Sequence, residues 1–72
     1  MQVKLDDFNT GWFGLAVGLT DDDIASLIEK LGTLREHRGH FHARSDFSGE
    51  SGVGDIEFYW AEPSAPANLV LE

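Results

Sequence analysis

The chain has 72 residues, with 13 acidic against 5 basic side chains and no cysteine, and its formal net charge is −8. This charge disfavours nucleic acid and anionic membranes as partners, because their phosphate groups would be repelled. The missing cysteine excludes disulfides and thiolate metal sites, and the length predicts a single domain.

The same charge favours a basic protein as partner, which opposite charge would steer in quickly at low salt. Solubility alone is the alternative explanation of the charge. The first residues lack the apolar segment of a signal peptide, and no apolar run approaches the roughly 20 residues that span a bilayer. We therefore expect a cytoplasmic protein with neither nucleic acid nor a membrane among its partners.

The chain begins with two predicted strands joined by a turn. Residues 2–8 alternate between apolar and polar side chains, and residues 12–19 form a second strand after the turn-forming Asn9 and Gly11. Alternation places four apolar side chains on one face of the second strand, where they should meet a helix: Phe13, Leu15, Val17 and Leu19.

The opposite face of the second strand is nearly bare, because Gly14, Ala16 and Gly18 follow one another on it. Glycine weakens a strand, so we expect something to lie close over this face, such as a ligand, a partner chain or the C-terminal tail. The alternative is an aromatic side chain that rests on the bare backbone, for which three candidates are available: Trp12, Tyr59 and Trp60.

A helix is predicted over residues 19–39, with Thr20 as its N-cap and Gly39 as the glycine that ends it. Three aspartates open it and three basic side chains lie in its last turn, in agreement with the helix dipole. Gly32 weakens the helix, and a close approach to the sheet would explain it. Apolar side chains at spacings of three and four form one side: Ile24, Leu27, Ile28, Leu31 and Leu34.

A second hairpin follows the helix. Residues 40–47 and 53–60 read as strands, joined by a glycine-rich loop. Residues 1–62 should form the domain. Residues 63–72, with Pro63 and Pro66, should form a C-terminal extension, either an edge strand or a mobile tail, and the final Leu71-Glu72 could be a cloning remnant.

The order of elements predicts an α+β fold of type ββαββ(β), with a single helix packed on one face of a small antiparallel sheet. Two strand orders keep all neighbours antiparallel, 1-2-4-3 and 2-1-3-4. The predicted core has fifteen members: Val3, Leu5, Phe13, Leu15, Val17, Leu19, Ile24, Leu27, Ile28, Leu31, Leu34, Phe41, Ala43, Ile56 and Phe58.

The outward face of the second hairpin is the first candidate site. If Arg44 lies opposite Asp55, then His42 lies opposite Glu57 and His40 lies opposite Tyr59. Two histidines and a carboxylate on one face could bind a divalent metal such as zinc through His40, His42 and Glu57. The alternative is a row of cross-strand charge pairs.

A protein-binding surface is the leading functional hypothesis, because aromatic anchors within a charged rim are typical of binding hot spots. The candidate residues are Trp12, Tyr59, Asp55, Glu57 and Arg44. We do not expect an enzyme, since no spacing matches a nucleophile signature and so small a domain has little room for a pocket. A homo-oligomeric structural unit, such as a homodimer formed through the bare strand or a sheet edge, is a further alternative.

The runs IASLIEKLGTL, GHFHARSDFSG and GVGDIEFYW resemble small bacterial immunity proteins of the polymorphic-toxin type. The resemblance covers residues 12–60 and lies in the overall pattern of a helix, an H-x-H strand and an acidic strand. It implies an α+β fold and a protein that binds and blocks a cognate toxin. It assigns no functional residue, since His40, His42, Asp55 and Glu57 match only in kind.

Overall fold

A computed structural model describes all 72 residues of the chain. Its elements, in order, are β1 (Gln2–Asp7), β2 (Phe13–Gly18), α1 (Asp21–His37), β3 (His40–Arg44) and β4 (Asp55–Tyr59). The predicted α+β class and the order of two strands, one helix and two strands are confirmed. No fifth strand forms, and residues 61–72 contain only a turn, in which the Ala65 N–H donates to the Glu62 carbonyl at 2.9 Å.

The four strands form two separate antiparallel sheets, so the two predicted orders of a single sheet are wrong. β1 pairs only with β2, and β3 pairs only with β4; we call these pairs the first and second hairpins. Sequence alternation decides which side chains share a face of a hairpin. It carries no information on whether two hairpins join edge to edge, because that depends on long-range contacts.

The start of α1 is built as predicted. The Asp23 N–H donates to Thr20 Oγ1 at 3.2 Å, and the Thr20 N–H donates to Asp23 Oδ2 at 3.0 Å, which together form a capping box. Met1 adds its terminal amine, 3.1 Å from Asp23 Oδ2. The start of β1 is therefore fastened to the first turn of the helix.

The helix ends two residues before Gly39, at His37. Arg38 already adopts a positive φ of 62°, and its N–H donates to the Leu34 carbonyl at 2.9 Å. The Arg38 guanidinium lies over the Trp60 ring, with Cζ 4.1 Å from the ring centroid. Arg38 thus combines this cation–π contact with a backbone conformation that L side chains rarely adopt.

The helix packs on the second hairpin through one edge of its apolar side. Leu27 and Leu34 are half-buried, and Leu27 lines a groove with Phe41 and Phe58 of the sheet. The rings of Phe41 and Phe58 stack with centroids 4.9 Å apart. The four core residues predicted on β3 and β4 therefore face inward, because Phe41, Ala43, Ile56 and Phe58 are all half-buried.

The predicted core, in contrast, is wrong as a set, because no residue of the chain is buried. Seven of its fifteen members are half-buried: Val3, Leu27, Leu34, Phe41, Ala43, Ile56 and Phe58. The other eight are exposed: Leu5, Phe13, Leu15, Val17, Leu19, Ile24, Ile28 and Leu31. The reason is architectural, since the helix covers the second hairpin and leaves the first hairpin without a cover.

Two expectations about glycine are resolved. At Gly14 the bare face of β2 is covered by an aromatic ring, as the alternative proposed, but the ring belongs to Phe8, whose Cζ would lie 2.6 Å from a Cβ on Gly14; at Gly18 the nearest atoms belong to Gln2. Trp12, Tyr59 and Trp60 do not take this role. The explanation offered for Gly32 is wrong, because a Cβ there would meet no atom within 4 Å.

The second hairpin is shorter than predicted at the end next to its connecting loop. β3 stops at Arg44, and Phe47 lies in the loop with a φ of 59° and 71% of its surface exposed. Its ring covers Gly54, whose added Cβ would lie 2.5 Å from Phe47 Cε1. The Ser45 N–H still donates to the Gly54 carbonyl at 3.0 Å, which closes the base of the loop.

Candidate functional site

The outward face of the second hairpin has the predicted register. His40 pairs with Tyr59, His42 with Glu57, and Arg44 with Asp55. All are exposed except His42, which is half-buried with 23% of its side chain accessible. Local alternation and a matched pair of strands were enough to place these side chains together.

Asp55 is the centre of the polar contacts on this face. His42 Nδ1 lies 3.0 Å from Asp55 Oδ1 and 3.1 Å from Oδ2, so the imidazole contacts both carboxylate oxygens. Arg44 Nε donates to Asp55 Oδ1 at 3.3 Å. The contact with His42 is diagonal, because the residue directly opposite His42 is Glu57.

Three side chains beside this contact could hold a metal ion. One ligand atom from each of His40, His42 and Glu57 lies within 4.8 Å of the others. The two imidazole rings meet edge to face, with centroids 5.2 Å apart. Two nitrogens and one carboxylate oxygen form a donor set that zinc accepts, with a fourth position left for water. Ligands at about 2.1 Å from a zinc ion would need these atoms to draw closer by rotamer changes.

A second candidate surface was missed at the sequence level, where its residues were assigned to the core. The hairpin face consists of Leu5, Phe13, Leu15 and Val17, all on one side of the first hairpin. Their exposed fractions rise from 43% at Val17 to 59% at Phe13, towards the turn. The first hairpin therefore extends away from the rest of the chain, and only Val3 at its base reaches the groove lined by Ala43, Val53 and Ile56.

The helix carries a matching exposed strip. Ile24, Ile28 and Leu31, which we call the helix stripe, are exposed by 42%, 66% and 44%. They lie at i, i+4 and i+7, beside the edge of the helix that contacts the second hairpin. The apolar side of the helix is broad and its contact with the sheet is narrow, so three of its five apolar residues remain uncovered.

The proposed protein-binding residues are divided between the two hairpins. Trp12 lies at the turn of the first hairpin with 76% of its surface exposed, whereas Tyr59, Asp55, Glu57 and Arg44 lie on the second. No strand pairing joins the two hairpins. The structure thus groups four of the five residues and leaves Trp12 apart from them.

Two carboxyl groups have a lowered pKa. The backbone N–H of Thr20 is the main cause at Asp23, followed by the chain's terminal amine, and both hold its pKa below the ordinary value of 3.8. The backbone N–H of Ser48, which donates to Asp46 Oδ1 at 3.0 Å, lowers the pKa of Asp46. Both groups stabilise backbone turns and lie outside the two candidate surfaces.

The chain matches no known protein family, no curated protein and no solved structure. The similarity to immunity proteins therefore stays a prediction. α1, the single helix, is neither long nor apolar enough to cross a bilayer.

Proposed function

We propose that this chain is a small non-enzymatic protein-binding module whose binding surface comprises the hairpin face and the helix stripe. One observation carries the proposal. None of the 72 residues is buried, while the seven apolar side chains of these two surfaces are exposed by 42–66%. Exposed apolar surface of this extent marks protein interaction sites on small domains.

The energetics of folding support the same conclusion. Ordering each residue costs about 1.5 kcal/mol in conformational entropy, which burial of apolar surface must offset. Here the apolar contact is limited to one edge of the helix, the inner face of the second hairpin and the base of the first. A partner that covers the hairpin face and the helix stripe would supply the missing burial.

Charge supports a role as an acidic binder. Asp7 lies on the same side of the first hairpin as the hairpin face, opposite Phe13, and Asp21 and Asp22 precede the helix stripe, within a chain of net charge −8. A heterologous partner would therefore be basic, as the similarity to immunity proteins implies for a cognate toxin.

The test is site-specific photo-crosslinking in cells that express the chain. Benzoylphenylalanine in place of Leu15 should give a discrete crosslinked product, and the same probe in place of Leu69, 87% exposed in the C-terminal tail, should give none. Mass spectrometry identifies the product, and Val17→Glu in the same chain should abolish it. Equal crosslinking at both positions would overturn the proposal.

Divalent metal binding by His40, His42 and Glu57 is a second candidate function. The specific observation is the contact between His42 Nδ1 and Asp55, because metal-binding histidines generally donate their second ring N–H to a carboxylate. Asp55 would orient the His42 ring and leave Nε2 for the metal. The chemistry supplied would be structural, since zinc across β3 and β4 would hold the two strands together.

Zinc titration followed by calorimetry and histidine NMR shifts tests this function. Zinc should shift the ring signals of His40 and His42 but not those of His37, whose side chain is 74% exposed on the helix. Asp55→Asn should weaken zinc binding about 10- to 100-fold. His37→Ala is the matched control and should leave the affinity unchanged. Equal shifts of all three histidines would remove this function.

A further inference from the structure

We infer that the partner on the hairpin face and the helix stripe is a second copy of this chain, an inference that rests on the proposed protein-binding function. The two surfaces pair reciprocally: the hairpin face of each copy covers the helix stripe of the other. The sequence predicted that an apolar sheet face and this side of the helix cover each other. In the dimer, the sheet face of one chain and the helix of the other chain cover each other.

The chain exposes more surface than a compact monomer of its mass, and this excess sets an upper limit on the area of a dimer interface. A folded monomer of the chain's mass, 8.0 kDa, exposes about 4,450 Å² by the usual size scaling. This chain exposes 6698 Å². The excess is about 2,200 Å², so two copies could bury up to about 4,500 Å² together, which lies within the range of obligate dimers. Residues 61–72 contribute part of the excess, so the interface is smaller than this limit.

The dimensions of the chain agree with an open subunit. Its radius of gyration is 14.1 Å, whereas a compact domain of this length has about 11 Å. The projecting first hairpin accounts for part of the difference, because its exposure increases towards the turn. A projecting hairpin reaches beyond its own chain and can lie on another.

The two surfaces are complementary and each occurs once per chain. The hairpin face is a sheet surface without a helix, and the helix stripe is a helix surface without a sheet. Across a two-fold axis, the hairpin face of each copy covers the helix stripe of the other copy. Both pairings then form at once, and the assembly closes at two copies. The hairpin side also carries Asp7, which pairs with Phe13, and the helix side carries Arg35, four residues after Leu31. The reciprocal pairing therefore brings together two surfaces that carry charges of opposite sign.

The effect of salt on affinity distinguishes a second copy of this chain from a basic protein as the partner. Two chains of net charge −8 repel each other, so the dimer should tighten as salt screens the repulsion. A complex with a basic protein should weaken in the same salt. Affinity at two ionic strengths therefore distinguishes the two partners.

Sedimentation equilibrium on the full chain tests the inference. We expect twice the mass of 8.0 kDa and tighter association in higher salt. Leu15→Glu, on the hairpin face, and Ile28→Lys, on the helix stripe, should each weaken the dimer about 100-fold or more, because each introduces an unpaired charge. Leu69→Glu is the control in the tail and should leave the mass unchanged.

Mixing the two charged variants tests the reciprocal geometry even where each alone unfolds. In a mixed dimer Glu and Lys face each other at one pairing and the other pairing is native, so mass and circular dichroism should both recover. A native chain that stays monomeric at high concentration, or mixed variants that do not recover, would overturn the inference. A Leu15 crosslink to a different protein would also overturn it, yet would leave the proposed protein-binding function intact.

Discussion

His42 hydrogen bonds to Asp55 across a diagonal of the second hairpin, with Nδ1 3.0 Å from Oδ1, although the residue directly opposite it is Glu57. Arg44 contacts the same oxygen at 3.3 Å. The Asp55 carboxylate therefore contacts two side chains of β3, those of His42 and Arg44. Glu57 stays free of this contact and remains available as a ligand beside His40.

Asp55→Ala should lower the free energy of unfolding by roughly 0.5–1 kcal/mol, because it removes two exposed cross-strand contacts. Urea denaturation measures the change. Glu57→Ala, on the same face of β4 without an observed side-chain contact, is the control and should change stability less. Equal losses from both variants would mean that the diagonal contact contributes nothing.

Gly32→Ala should stabilise the chain by about 1 kcal/mol, because an alanine in a helix interior is favoured and the added Cβ meets no atom within 4 Å. The melting temperature should rise by about 4–8 °C. Gly14→Ala provides the contrast, since its Cβ would displace the Phe8 ring. A fall in stability from Gly32→Ala would show that another chain packs against this position.

Thr20→Ala should cost about 1 kcal/mol of stability, because it removes the acceptor for the Asp23 N–H at the start of the helix. Thermal unfolding followed by circular dichroism at 222 nm measures the effect. Thr10→Ala, in the first turn, is a matched change outside any observed cap. A similar loss from both substitutions would contradict the role of the capping box.

The pKa of Asp23 predicts how stability depends on pH. Its folded-state pKa is lowered below 3.8, so the unfolded state binds protons more readily. The contribution of Asp23 is therefore complete above the unfolded pKa and is lost as pH falls from about 3.8 through the folded value. Asp23→Asn should flatten the stability profile in this window, which unfolding measured between pH 5 and pH 2 can detect. An unchanged profile would contradict the assignment.

The features that were predicted correctly depend on residues that are close together in the sequence or on two consecutive strands. Thr20 and the aspartates identify the helix start, and alternation in β3 and β4 identifies the pairing of His42 with Glu57. The separation of the hairpins could not be predicted, because alternation in β1 and β2 is the same whether a helix of this chain or another chain covers the apolar face. The Phe8 ring over Gly14 was missed since Phe8 was assigned to the end of a strand and not to the turn.

Central to both proposals is that the chain does not complete an apolar core by itself. Urea unfolding at a series of chain concentrations is the sharpest test of this point. We predict a midpoint that rises with concentration, because association through the hairpin face and the helix stripe stabilises the folded state. A midpoint that is independent of concentration, with a free energy of unfolding in the ordinary monomer range of about 5–15 kcal/mol, would contradict the claim.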